Sequence, residues 1–270
     1  MNEGAGDWRS YDEIAECYDR VWSIRFEAVA RHIWALVPPH TGNSLLDIGT
    51  GTGIVSRTLY ELGQKPSLVV GSDRSVGMLA RARARLPELA PVVADACALS
   101  FASATFDMAT ASFVLSHVPD YGAALSEMHR VLKPGGRFAV ATWAPSSDPY
   151  NSAWTACLTN LISKQEVDRA LAEVAPWEAH FSQQERLESA LSQTGFLVAA
   201  SAAPEFEFVF TVEQFIQDRE LSSAGRLGLE LVGAEAWAQF RAVTNNLFRD
   251  RFGQSFSYAR RAIIVVGRRP

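Results

Sequence analysis

The chain sorts its apolar residues into successive rhythms. Between Tyr11 and Val37 the residues Phe26, Val29, Ile33, Leu36 and Val37 recur at helical spacing, and Pro38-Pro39 closes the segment, so one or two helices are expected there. From Ser44 to Trp143 short apolar runs alternate with helical stripes. The runs "SLLDI", "SLVVGSD", "PVVAD", "FDMATAS" and "RFAVATW" read as strands, and 53–62, 75–86 and 120–132 as the helices between them. In the last helix Leu125, Met128, Val131 and Leu132 share a face, and "KPGG" ends it, because Pro134 cannot continue a helix and the two glycines permit a tight turn. Strands alternating with helices at this spacing predict an α/β domain with a parallel, doubly wound sheet.

After Trp143 the alternation is lost. "APSSDPYNS" reads as a loop, and Trp154, Cys157, Leu158, Leu161 and Ile162 then form the stripe of an amphipathic helix. "FSQQERLESALSQTGF" is a further helix, with Ser182 as its expected N-cap and Gly195 as its stop. In "EFEFVF" Phe206, Phe208 and Phe210 alternate with Glu205, Glu207 and Val209, which predicts a half-buried strand. Residues 211–251 are helical again, and "RRAIIVVGRR" closes as a strand expected to join the sheet antiparallel at its edge. The expected organisation is a core over 1–143, a helical cap with sheet-edge elements over 144–258, and a final core strand over 259–270.

Composition narrows the function. With 270 residues and 48% hydrophobic content the chain can bury a substantial core, and no apolar run approaches the roughly 20 residues that span a bilayer. The opening residues are polar, so a soluble, cytoplasmic protein without a membrane span is expected. A net charge of -5 gives no general attraction to a phosphate backbone, which disfavours nucleic acid as partner. Cys17, Cys97 and Cys157 are odd in number and widely spaced, and read as small buried hydrophobes. With no cysteine cluster and no H-x-x-x-H, no metal is expected.

The chemistry is concentrated in "LLDIGTGTGIVSRTL". A strand stopping at Asp47, a turn on Gly49, Gly51 and Gly53, and a following helix bring bare backbone N–H groups up to a ligand. A dinucleotide fingerprint G-x-G-x-x-G begun at Gly49 would need glycine at 54, where the chain has Ile54. The pattern D-x-G-x-G-x-G instead resembles the class I S-adenosylmethionine-dependent methyltransferases, particularly small-molecule enzymes of the ubiquinone-biosynthesis type. The likeness runs from about Tyr11 to Trp143 and is weaker beyond. It implies a Rossmann-like, mostly parallel seven-stranded sheet with N-terminal helices and a helical cap inserted late in the chain. It also implies S-adenosylmethionine as cofactor, S-adenosylhomocysteine as product, and Asp47, Gly49, Gly51 and Gly53 under the methionine and ribose.

Asp73 ends the second strand, where a carboxylate can accept from both ribose hydroxyls; a dinucleotide enzyme would want an acid there too. "RSVGML" continues the resemblance, which puts Arg74 and Met78 beside the adenine, and "VVADACAL" gives Asp95 and Ala96 the adenine amino group. Alone, Asp95 would serve equally as a cap or turn residue. At the fourth strand end, "ASFVLSHVPD" matches the family turn whose backbone, at Ser112 and Phe113, holds the cofactor. The N-P-P-Y-like tetrapeptide of nucleobase methylation is replaced by Ser112-Phe113-Val114-Leu115.

A sulfonium methyl is already activated, so the protein has mainly to align a nucleophile and exclude water. His117 is the best-placed general base for a hydroxyl or amine acceptor, although a loop residue that caps or packs is the plainer reading of it. Tyr11 and Tyr18 in "YDEIAECYD" resemble the family's N-terminal segment that folds over the cofactor, and would equally suit a core-facing stripe. The later aromatics Trp154, Trp177, Phe181, Phe215, Trp237 and Phe240 are expected to cap the site, a few lining a cavity for a ring-containing or lipid-like small acceptor. Methyl transfer to oxygen is expected first, with carbon or nitrogen close behind. Alternatives are a non-methylating reaction on the same cofactor fold, such as cyclisation or decarboxylation, and a non-enzymatic cofactor-binding subunit.

Overall fold

Five parallel strands make the centre of the molecule in the computed structural model, which describes residues 7–40, 42–146 and 148–270. They are β1 (Ser44–Ile48), β2 (Leu68–Asp73), β3 (Ala90–Val93), β4 (Phe106–Ser112) and β5 (Leu132–Trp143), in the spatial order β3-β2-β1-β4-β5. The winding reverses between β1 and β4, and in open α/β sheets the crevice outside the carboxyl ends at such a reversal is where ligands lie. All five residues of β1 are buried, as a strand covered on both faces must be. Leu45 faces one core layer, with α1 (Ala15–Leu36) and α2 (Ile54–Glu61). Leu46 faces the other, with α4 (Tyr121–Val131) and α8 (Gln184–Gln193). Helix α3 (Val76–Arg85) starts beyond β2, with Ser75 as its N-cap.

The sheet has eight strands rather than seven. β8 (Ser255–Arg268) is antiparallel, as its sequence suggested, but lies between β5 and β6 (Leu197–Ala202) and not at the edge. The physical reason is visible in "AIIVVG", an unbroken apolar run whose six residues are all buried and which needs neighbours on both sides. The first half of β8 pairs with β7 (Glu205–Thr211), where Phe206, Phe208 and Phe210 are buried and the residues between them exposed. β6, reading "LVAASA", has too little apolar contrast to stand out in the sequence and is the edge strand. α4 ends at Val131 as expected, but "KPGG" is a bulge within β5: Leu132 already pairs with Phe106 before Arg137 pairs with Met108.

The cap begins earlier than its stripe suggested. Asp148 accepts from the Asn151 N–H at 2.7 Å and Pro149 occupies the first turn, so α5 (Pro149–Leu161) takes up part of the expected loop. It continues through α6 (Lys164–Val174), α7 (Glu178–Phe181), α8, α9 (Val212–Glu220) and α10 (Ser223–Phe252), the last broken at Gly233. Ser182 ends α7 instead of capping α8: its hydroxyl donates to the Ala179 carbonyl and Gln183 holds the N-cap position of α8. Gly195, at φ +93°, does follow the end of that helix. An ion triad ties the N-terminal helix to the cap, with buried Arg25 and half-buried Arg219 both on the buried Asp218 carboxylate. The three free cysteines are half-buried rather than buried.

Candidate functional site

The glycine turn leaves β1 at Ile48 and enters α2 at Ile54. Gly49 has φ +61°, and a Cβ there would stand 2.3 Å from a methyl of Val114, so neither the conformation nor the space admits a side chain. Gly51, at φ +54°, is bare for a different reason: a Cβ on it would meet nothing within 4 Å, because it faces an open cleft. The turn is braced from below by two carboxylates. Asp47 is 1% exposed and accepts from the hydroxyls of Thr50 and Thr110, both at 2.8 Å, and of Ser56 at 2.9 Å. Burial pushes its pKa up, and these donors oppose the rise. Asp19 of α1 accepts from Thr52 at 3.2 Å and pairs with Arg81 and Arg85 of α3.

Above the turn lies a cleft of about 630 Å³ at the carboxyl ends of β1, β2 and β4. Asp73 enters it from β2, its two oxygens accepting from the Gly51 and Ser75 N–H groups, both at 2.9 Å. Burial pushes this carboxyl upward as well, and the backbone donors again oppose it. An ionised carboxylate offers about four acceptor positions, so these backbone bonds leave capacity for a ligand. Asp95 stands on the next wall, with one oxygen on the Cys97 N–H at 2.9 Å, and Arg74, Met78 and Ala96 line the same region.

At the end of β4, Ser112 lines the cleft with a buried hydroxyl that has no partner. Phe113 adopts φ +60°, a costly conformation for an aromatic residue, and its N–H donates to the Ala141 carbonyl. Its ring then stacks on Trp143 at 4.4 Å and meets Phe26 at 5.0 Å. Tyr18 and Phe26 sit on one face of α1, and Tyr11 meets Tyr18 edge-on at 5.7 Å. Burial holds the Tyr18 phenol neutral by pushing its pKa upward.

Residues 7–12 form a strap over the opening. Asp12 accepts from the Ser75 hydroxyl at 2.6 Å and the Gly77 N–H at 2.8 Å, which holds its carboxyl below the usual range. Gly77 is needed there, since a Cβ would come within 2.3 Å of the Asp12 carbonyl oxygen. Arg9 pairs with Glu173 of α6, and the Arg226 guanidinium of α10 donates to the Ser10 carbonyl. His117 lines the cleft with Nδ1 2.9 Å from the Val174 carbonyl oxygen. A carbonyl only accepts, so Nδ1 carries a proton, and in the neutral ring the lone pair is on Nε2.

The structure thus gathers Tyr11, Tyr18, Gly49, Gly51, Asp73, Arg74, Met78, Asp95, Ala96, Ser112, Phe113 and His117 around one cleft. Asp47 and Gly53 stand behind its wall, where they support the turn without facing a ligand. The late aromatics do not reach the cleft. Trp154 packs on Trp237 and Phe240, Phe215 on Phe248, and Trp177 and Phe181 on Tyr121. The aromatic wall comes instead from α1 and Phe113. Asp12, Asp19 and Arg226 escaped sequence reasoning, since an acid or base in an amphipathic stretch ordinarily marks its solvent face.

These surroundings fit S-adenosylmethionine: a turn open where a Cβ would fill the space, an acid with free acceptor positions at the β2 end, and an orphaned hydroxyl at the β4 end. Carboxylates outnumber guanidinium groups on the lining, which suits a cationic ligand. Residues 46–140 match the family model of a methyltransferase domain. Over that stretch the chain is similar to the class I S-adenosylmethionine-dependent methyltransferases. Demethylmenaquinone methyltransferase of Beutenbergia cavernae is 38% identical to it over 160 residues, covering 56% of this chain and 65% of the relative. The Corynebacterium kroppenstedtii enzyme of the same name is 42% identical over 141 residues, 50% of this chain and 59% of the relative. The chain therefore spans less than two thirds of the length of these curated relatives. A Bacillus halodurans protein assigned provisionally to the methyltransferases is similar in fold, with a TM-score of 0.59 at 19% identity over 90% of this chain and 99% of that one. Among the described residues no cluster of three or more metal-ligating side chains occurs, and no helix is long and apolar enough to cross a membrane.

Proposed function

We propose that the protein transfers a methyl group from S-adenosylmethionine to a small, ring-bearing acceptor, oxygen being the atom expected first. The observation that carries this is the junction within one cleft of the Gly49–Asp73 cradle and the aromatic wall of Tyr11, Tyr18, Phe26 and Phe113. S-adenosylmethionine supplies an activated sulfonium methyl that a nucleophile in line with the S–C bond displaces. Asp73 holds the ribose hydroxyls, Asp95 and Ala96 the adenine edge, and the bare turn at Gly51 lets the backbone come close. The aromatic wall presses a flat acceptor into place and excludes water, which raises the effective concentration of the reacting pair. His117, in its neutral form with the lone pair on Nε2, takes the proton of an acceptor hydroxyl. The names of the Beutenbergia and Corynebacterium relatives favour a quinone-type ring as acceptor.

Calorimetric titration of S-adenosylmethionine, S-adenosylhomocysteine and NAD is the first test, followed by mass-spectrometric detection of methylated product from a panel of quinols and phenols. Binding of the sulfur cofactors without NAD, and product in step with S-adenosylhomocysteine, is expected; cofactor binding without any methylated product would overturn the transferase reading. His117→Ala should lower turnover by about 10²-fold or more while leaving cofactor affinity in place. Near-normal turnover removes it as the base.

A further inference from the structure

Arg226 occupies an unusual position. It is 8% exposed, lies in the first turn of α10, and has no carboxylate within ion-pair distance among the described residues. Nη1 donates to the Ser10 carbonyl and the guanidinium carbon lies 4.5 Å from the centre of the Tyr11 ring, but Nε and Nη2 have no partner. Arg25, also buried, shows the ordinary solution, a carboxylate directly opposite in Asp218. For Arg226 burial is the leading influence and it is adverse; the Tyr11 and Tyr18 rings, Asp7 and the Ser10 carbonyl offset it only in part. Burial pulls its pKa down, and the positive end of the α10 dipole opposes a cation in the first turn. A buried guanidinium held at such a cost beside a ligand cleft points to a partner that comes with the ligand.

We propose, on the footing of the methyltransferase reading above, that Arg226 is a specificity-determining residue that binds an anionic oxygen of the acceptor, so that the substrates of this cleft are aryl acids. Ser10 and Tyr11, which Arg226 touches, line the cleft, so the cation stands one residue behind its wall. On entry the acceptor's carboxylate or acidic enol oxygen replaces the Ser10 carbonyl on the guanidinium, a neutral hydrogen bond giving way to a charge-assisted one that can be bidentate. The ring stays against Tyr11 and Tyr18. The reacting hydroxyl is a separate group and remains within the reach of His117.

The probes are 2-naphthoate and its neutral isostere 2-naphthamide, titrated into the full chain with and without S-adenosylhomocysteine. The acid is expected to bind about tenfold or more tightly than the amide. Arg226→Gln should erase that preference and Arg226→Lys should keep part of it. Equal binding of acid and amide to the native protein, no binding of the acid, or a preference that survives in Arg226→Gln would each overturn the proposal. A loss of S-adenosylhomocysteine affinity in Arg226→Gln with the acid preference intact would leave the residue only a tie for the strap, and also overturns it. Failure of the methyltransferase reading is distinct, because it shows as absent cofactor binding or absent product in the native protein whatever the acid preference.

Discussion

Three aspartates around the glycine turn illustrate how one side chain takes different roles from different surroundings. Asp47 is sealed under the turn by three hydroxyls, Asp19 is sealed against it by two guanidinium groups, and Asp73 alone keeps acceptor positions toward the cleft. Asp73→Asn retains shape but loses the charge and half of the acceptor capacity. It should weaken S-adenosylhomocysteine binding by about ten- to a hundredfold, the worth of a charge-assisted hydrogen bond, with little change in melting temperature. Calorimetry beside a thermal melt decides; unaltered affinity would remove Asp73 from the cofactor site. At this scale the sequence was legible where a residue type is unusual for its place, as with an acid closing an apolar strand or glycines at every second position. Asp19 was not legible because its burial depends on Arg81 and Arg85, more than sixty residues further along, which no local pattern announces.

Among the elements, the strap over 7–12 is the one whose conformation depends most on a few polar contacts. It is fastened to the start of α3 by Asp12 and to the cap by Arg9 and Arg226. Asp12→Ala removes a contact equivalent to a helix N-cap, worth about 1 kcal/mol, and should weaken cofactor binding several-fold while speeding cofactor release. Stopped-flow fluorescence of the nearby tyrosines and tryptophans would show it; identical release rates would mean that the strap does not close on the ligand. The central strands and helices could be read from the chain because each buries a face with the period of its own geometry. β6 and the true start of α5 could not, the one for want of apolar contrast, the other because Asp148 and Pro149 look like loop residues until a helix follows them. The aromatic residues of the cap were legible as buried but not as remote from the cleft, since periodicity reports burial and says nothing about which cavity is near.

Over the whole molecule, the triad of Arg25, Asp218 and Arg219 holds the N-terminal helix to the cap, and apolar packing holds both to the sheet. Asp218→Asn would strand two guanidinium groups without their counter-charge and should cost about 3–5 kcal/mol of unfolding free energy. Denaturant titration checks this, and a loss below about 1 kcal/mol would show that solvent reaches the site. The placement of β8 has a further consequence for how the native state is reached. Trp143 and Ala262 are partners in the sheet although more than a hundred residues separate them along the chain, and among the described residues β6 and β7 pair with the sheet through β8 alone. Such non-local pairing closes late in folding. Until it does, β5, β6 and β7 all present unpaired edges, so the protein passes through a stage in which self-association competes with completion, and yield on refolding should fall as concentration rises.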